Sequence, residues 1–354
     1  MAGPLDGLKV LEIAEAVAGP YAAMALGDAG ADVTKVETGE GDRTRDWGSH
    51  TRGDHGAVYV SLNRNKRSLA INIRSKESRP VLDKLVQEAD VVVIDAGYHE
   101  VMGLRWQDVR EANPKAVYFV VSEYGPHGPW ANRPPYGELA AQLASEATMS
   151  LGVIGEPPVR MATDIGGMYA AIYGVQSITA ALLARERTGE GQRIDVSLFG
   201  SLLALRGTLW VALSNPDFWW GFHLDSYVKP PELGYTCLDG RIFFSLARMT
   251  EEGRDQLYQE LEMDWVRNEA RYDMFKEDRG GLGTRHGYLL TDIWDRGFAK
   301  WQMEKVIEAI RRLGGWAFPK NDYKMLREMD QVKVVGMVDK IVQEPFGEME
   351  TLTP

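Results

Sequence analysis

One feature constrains the fold of this chain more than any other. Between Leu8 and Tyr124, short apolar runs alternate with segments of helical spacing. The runs are LKVLEIA (8–14), ADVTKVE (31–37), RSLAINI (67–73), DVVVID (90–95) and AVYFVVSEY (116–124). Each is too short for a helix, and most are apolar on both faces, as a strand covered on both sides must be. Between them lie AGPYAAMALGDAG (18–30), SKESRPVLDKLVQEA (75–89) and WQDVREANPK (106–115), which read as helices. Repeated β-α-β units of this kind predict an α/β fold with a doubly wound parallel sheet.

The middle of the chain changes character. DIGGMYAAIYGVQSITAALLARER (164–187) reads as one long Ala-rich helix, stopped by basic residues and Gly189. RIDVSLFGSLLALRGTLWVALS (193–214) reads as a strand and then a helix. The aromatic and proline-rich stretch 215–235 has no clear period and reads as a crossing linker. YTCLDGRIFFSLA (235–247) predicts a hairpin turning at Asp239-Gly240, and helical segments follow to about residue 315. No apolar run of the length a membrane helix needs is read here, so no membrane association is expected.

Charge narrows the function classes. The 354 residues carry 51 acids against 40 bases, a net charge of −11, which removes the electrostatic basis for general nucleic-acid binding. Cys237 is the lone cysteine, so a disulfide scaffold is excluded and a reducing, cytoplasmic setting is expected. Asp6, Glu12 and Glu15 stand where a signal peptide would be basic and then apolar. The six histidines form no close ligand pair, so no metal is expected. G-x-S-x-G and P-loop patterns are absent. The loop Ala16-Val17-Ala18-Gly19-Pro20 follows the first strand as a dinucleotide loop would, and Glu37 stands at the ribose-acid position, but the glycine fingerprint is missing.

Against this acidic background, Arg43, Arg45, Arg52, Arg64, Lys66, Arg67 and Arg74 cluster. Asn63-Arg64-Asn65-Lys66-Arg67-Ser68 is a candidate polyphosphate patch. The residue singled out for chemistry is Asp164, at the start of the long helix and before Ile165-Gly166-Gly167. Position alone allows two readings. It is either an N-cap, or a nucleophilic carboxylate favoured by the helix dipole, with two glycines leaving room for a ligand.

Several blocks together resemble the class III CoA-transferases, the formyl-CoA transferase and carnitine CoA-transferase (CaiB/BaiF) family. They are PLDGLKVLEIAEAVAGPYAAMALGDAGADVTKVE, GDRTRDW, NRNKRSLAINIR, ANPKAVYFVVSEYGPHGP, DIGGMYAAIYGVQSITAALLARERTGEGQRIDVSL and YTCLDGRIFF, in the family's order. The resemblance implies a large CoA-binding α/β domain over 1–200, with 330–354 returning to it, a linker over 201–228 and a smaller α+β domain over 229–329. It also implies an interlocked, ring-like homodimer, or a heteromer with a homologous subunit. Chains of the family usually continue past the segment matching EPFGEMETLTP.

Function follows from the same resemblance. CoA would move from an acyl-CoA donor to a carboxylic acid acceptor, with Asp164 as nucleophile. Val17, Ala18, Ile71, Asn72, Ile73, Arg74, Ala96, Gly97 and Tyr136 would contact coenzyme A, and no metal would be required. This sequence departs from the family in four places. Val17 stands where formyl-CoA transferases have Gln, which argues against oxalate and formate chemistry. Asp95-Ala96-Gly97-Tyr98 replaces Asn-Phe-x-Pro-Gly, Val101 replaces a basic residue, and Glu123 replaces a glycine. An α-methylacyl-CoA racemase is the alternative enzyme, but its histidine position holds Tyr136. A non-catalytic CoA-binding subunit is the other alternative. Gly280-Gly281-Leu282-Gly283 reads as a lid, and Trp219, Trp220, Phe222 and Tyr227 as an acyl pocket or interdomain packing.

Overall fold

The computed structural model describes residues 3–48, 50–53, 55–72, 75–134, 137–145, 164–205, 207, 234–277 and 290–352. The chain divides into two compact units. One comprises Met1–Gly152, Pro157–Leu213 and Lys340–Thr351; the other comprises Val153–Glu156, Ser214–Asp339 and Leu352–Pro354.

The larger unit is built on a six-stranded sheet. Its elements are β1 (Lys9–Ile13), α1 (Ala18–Asp28), β2 (Asp32–Glu37), the small antiparallel pair β3 (His50–Arg52) and β4 (His55–Gly56), α2 (Ala57–Leu62) and β5 (Lys66–Ala70). They continue with α3 (Arg79–Glu88), β6 (Val91–Asp95), α4 (Ala96–Val101), α5 (Trp106–Ala112), β7 (Val117–Ser122), α6 (Glu138–Ala144), α7 (Ile165–Thr188), β8 (Arg193–Ser197) and α8 (Leu198–Leu205). The sheet order is β5-β2-β1-β6-β7-β8 and every pairing is parallel, as the alternating pattern predicted. The chain winds outward from β1 in one direction and then from β6 in the other. Between β1 and β6 the loops therefore diverge and leave a crevice at the carboxyl ends of the strands.

Both faces of the sheet are covered. On one, α1 and α7 bury Ala22, Ala23, Ala170 and Ile178 against Val33, Val93 and Phe119. On the other, α3 and α5 bury Leu82, Val86 and Val109 against Ile13, Val92 and Tyr118. Small residues let the helices approach closely. A Cβ on Gly174 would stand 2.4 Å from the Phe119 ring, and one on Gly19 would stand 2.3 Å from the Ala14 Cβ. This also corrects the expectation that no run of membrane-spanning length exists. By length and composition α7 is such a helix, and its apolar residues serve the sheet and α1.

The smaller unit holds the antiparallel sheet β9 (Tyr235–Thr236), β10 (Arg241–Ser245) and β11 (Trp316–Pro319) in the order β11-β10-β9. Helices Glu251–Glu260, Thr291–Phe298 and Met303–Arg312 cover it. Its core is aromatic: Phe244 lies within 4.7–5.2 Å of Tyr235, Trp294 and Phe298, ring centre to ring centre. β12 (Val338–Gln343) and β13 (Gly347–Leu352) form a hairpin, and Thr351 of β13 accepts a bond from Arg64.

Candidate active site

A cleft of about 730 Å³ opens in the larger unit at the switch point. It is lined by the β1–α1 loop, the start of α4, the loop after β7 and the first residues of α6 and α7. Asp164, Val17, Ala18, Ala96 and Gly97, drawn from separate stretches of sequence, all line it. Ile71 and Asn72 do not: they follow the edge strand β5, where the Ile71 N–H donates to the Glu37 carbonyl. Ile73, Arg74 and Tyr136 lie outside the described residues, as do Gly280–Gly283 and the Trp219–Tyr227 cluster.

At the start of α7, Asp164 holds the N-cap position. Its side chain makes no capping bond to the helix. The cap comes from Glu138, the first residue of α6. Its Oε1 accepts the Gly166 N–H at 2.6 Å and its Oε2 the Gly167 N–H at 3.0 Å. Gln142 steadies that carboxylate through Oε1 at 2.9 Å. The two glycines are explained by protein neighbours rather than by a ligand. A Cβ on Gly166 would fall 2.7 Å from Glu138 Oε1, and one on Gly167 would fall 2.9 Å from Val17 Cβ. With Glu138 satisfying these amides, the Asp164 side chain is relieved of the capping role. The same geometry commits the amides of Gly166 and Gly167 to Glu138 rather than to a ligand oxyanion.

The other walls are similarly pinned. Ala16 adopts φ +62°, a left-handed turn that is costly for alanine, and thereby directs Val17 onto Gly167. α1 has no side-chain cap, and its first residue, Ala18, lines the cleft beside Val17. Glu123, where the family has glycine, accepts the Gly137 N–H at 3.1 Å and so fixes the entry to α6. Asp95 accepts the Glu15 N–H at 2.8 Å; burial pushes its carboxyl up to about 7 despite that bond. Tyr98 donates to the Glu15 carboxylate.

Two cations line the cleft among the described residues, Arg43 and Arg133. Arg43 follows Asp42, whose side chain caps a short 3₁₀ turn at Arg43–Asp46. Asp42 belongs to a buried charge network. Lys35 Nζ lies 2.7 Å from Glu12 and 2.9 Å from Asp42, and Lys66 Nζ lies 2.8 Å from Glu12. All four side chains are at most 2% exposed. Burial would raise the Asp42 carboxyl, but Lys35 and the Thr44 N–H outweigh it and hold it below its usual value. For Lys66 burial wins and brings the ammonium down to about 8.

This network overturns the polyphosphate patch expected at 63–68. Lys66 is committed to Glu12, Asn63 and the Pro20 carbonyl. Arg64 pairs with Asp28 at 2.6 Å and Arg67 with Asp32 at 2.5 Å. None of the three lines the cleft. Glu37 is likewise held by Arg45, Ser68 and the Asp42 N–H, and so is not poised for a ribose. Among the described residues no cluster of His, Cys, Asp and Glu has the arrangement of a metal site.

A family model described as CoA-transferase family III matches residues 5–353. The chain belongs to that family. An acyl-CoA transferase of Fusarium pseudograminearum is 37% identical over 236 residues, 62% of this chain and 51% of that protein. The human succinyl-CoA:glutarate CoA-transferase is 35% identical over 204 residues, 57% of this chain and 46% of that protein. The chain thus spans about half the length of the curated relatives it matches. A crystal structure of a CaiB/BaiF family protein from Brucella suis superposes with TM-score 0.82 at 27% identity, covering 100% of this chain and 92% of that one. The α/β architecture of this family member is therefore the one the resemblance implied.

Proposed function

We propose that this family member transfers CoA from an acyl-CoA to a carboxylic acid, with Asp164 as the nucleophile. The observation that carries the reading is the capping of α7 by Glu138, which leaves the neighbouring Asp164 on the cleft wall without the capping task. The Asp164 carboxylate attacks the thioester carbonyl of the donor, forming an acyl–aspartyl anhydride and expelling CoA thiolate. The thiolate attacks the aspartyl carbonyl, which releases the donor acid and leaves an aspartyl–CoA thioester. The acceptor carboxylate displaces CoA from that thioester to give a second anhydride. CoA thiolate then attacks the acceptor's acyl carbon, producing the new acyl-CoA and restoring Asp164. No proton is needed at any step, and the thioester is regenerated rather than hydrolysed.

Val17, Ala18, Ala96 and Gly97 present small side chains along the cleft, suited to the pantetheine arm of CoA. Ile71, Asn72, Ile73, Arg74 and Tyr136 remain the proposed contacts for the rest of the cofactor. The substrates of the human relative, succinyl-CoA and glutarate, make short dicarboxylic acids the proposed acyl class. The working unit is proposed to be a dimer in the cytoplasm. Tyr323, Val334, Val335 and Met337 of the smaller unit are exposed apolar side chains that a second copy would cover.

Replacing Asp164 with Ala tests the reading. The variant should keep the wild-type circular dichroism spectrum and lose exchange of labelled CoA between acyl-CoA and free acid. Turnover at the wild-type rate would remove Asp164 from the mechanism.

A further inference from the structure

We propose that Arg133 reads the distal carboxylate of a dicarboxylic acyl group, an inference that rests on the transferase reading. The loop after β7 makes two successive turns, with the Ala131 N–H donating to the Gly128 carbonyl and the Arg133 N–H to the Trp130 carbonyl. The Arg133 guanidinium lies 4.5 Å from the centre of the Trp130 ring. Trp130 is itself packed edge-on against Tyr124 at 5.5 Å and against Phe199 at 5.3 Å. The guanidinium therefore rests on a fixed aromatic platform, which restrains its plane and leaves the N–H edges of its fork available.

The second observation is what Arg133 lacks. Arg45, Arg64 and Arg67 are each paired with a carboxylate of the protein. Among the described residues Arg133 forms no ion pair and no side-chain hydrogen bond, although it lines the cleft. A planar fork of donors in that state is matched to a carboxylate, which it can bind through two parallel hydrogen bonds.

The third observation assigns the cation to the acyl end. Arg43 belongs to the loop after β2 and Arg133 to the loop after β7, three strand spacings away in the sheet. At about 4.8 Å per spacing the two loops leave the sheet about 14 Å apart, on opposite sides of the switch point between β1 and β6. The loop that carries Arg133 is fastened to the nucleophile's helix. Glu123 at its beginning binds the Gly137 N–H, and Glu138 just beyond its end binds the first amides of α7, next to Asp164. The acyl carbon must sit at Asp164 to react, so this loop borders the acyl group. Arg43, beside Glu15 and Trp47, is left for the CoA end of the cleft.

The test uses binding, so that it does not depend on turnover. In the full chain carrying Asp164→Asn, calorimetry would compare glutaryl-CoA, pentanoyl-CoA and free CoA. The two acyl groups have the same chain length and differ in the terminal carboxylate. Glutaryl-CoA should bind about tenfold to a hundredfold more tightly than pentanoyl-CoA, the range for a charge-assisted hydrogen-bonded pair. Adding Arg133→Gln should reduce that ratio to within about threefold of one, while Arg133→Lys should keep an intermediate preference. Equal losses for all three ligands would place the guanidinium on a CoA phosphate and overturn the proposal. So would a ratio that survives Arg133→Gln, or the lack of any preference with Arg133 present. Failure of the transferase reading would show separately, as absence of CoA exchange by the unmodified chain.

Discussion

Removing the Glu138 carboxylate should disturb stability and catalysis together. In Glu138→Ala the amides of Gly166 and Gly167 lose acceptors at 2.6 and 3.0 Å. Loss of an N-cap costs about 1–2 kcal/mol, and loss of a negative charge at a helix N-terminus about 0.3–1 kcal/mol more. A total near 2 kcal/mol is expected in the unfolding of the larger unit. It would be read from the urea midpoint and from faster amide exchange in the first turn of α7. Asp164, at the N-cap position of α7, would then be placed to cap the vacated amides itself. If it swings into the cap, its ground state gains about 1 kcal/mol, and the exchange rate should fall at least about fivefold at saturating substrate. Glu138→Gln keeps acceptor capacity and loses the charge, so its effect on both readouts should be smaller. A Glu138→Ala protein with the wild-type midpoint would refute the capping argument. A destabilised protein with unchanged turnover would break the link between the cap and the nucleophile.

Other perturbations test the framework around the cleft. Lys35→Met leaves Glu12 and Asp42 without one of their buried cations and should cost about 3–5 kcal/mol in denaturant unfolding. Gly174→Ala drives a methyl group into the Phe119 ring, so it should destabilise by about 1–3 kcal/mol, and Phe119→Leu in the same chain should recover part of the loss. For Asp42 and Glu37, burial is outweighed by ion pairs and hydrogen bonds, and both carboxyls titrate below their usual values. Their stabilising contribution is present above about pH 4 and lost as pH falls through the lowered values. Asp42→Asn should therefore be less stable at pH 7 and lose less on acidification to pH 3, as followed by thermal unfolding across pH.

The sheet was legible because parallel strands buried on both faces write themselves as short apolar runs. The run DVVVID became β6, whose first four residues are fully buried. Glu12 and Lys35 interrupt such runs, and nothing local shows that they neutralise each other across neighbouring strands. The basic stretch at 63–68 misled for the same reason. The partners of Arg64 and Arg67, Asp28 and Asp32, come from the end of α1 and the start of β2, and pairing with them removes both charges from ligand binding. Asp164 was legible as a helix start, but its freedom from capping depended on a residue 26 positions earlier. Glu138 carries no motif of its own. The available signal was indirect: two glycines behind an acid at a helix start mark a close approach, here by Glu138 and Val17.

The covalent step at Asp164 tests the central claim most directly. The purified chain would be incubated with succinyl-CoA, quenched with hydroxylamine, digested and read by mass spectrometry. A hydroxamate on the peptide containing Asp164, dependent on acyl-CoA and absent from Asp164→Ala, is the result expected of an aspartyl anhydride or thioester. An unmodified Asp164 peptide under conditions where labelled CoA is being exchanged would contradict the mechanism.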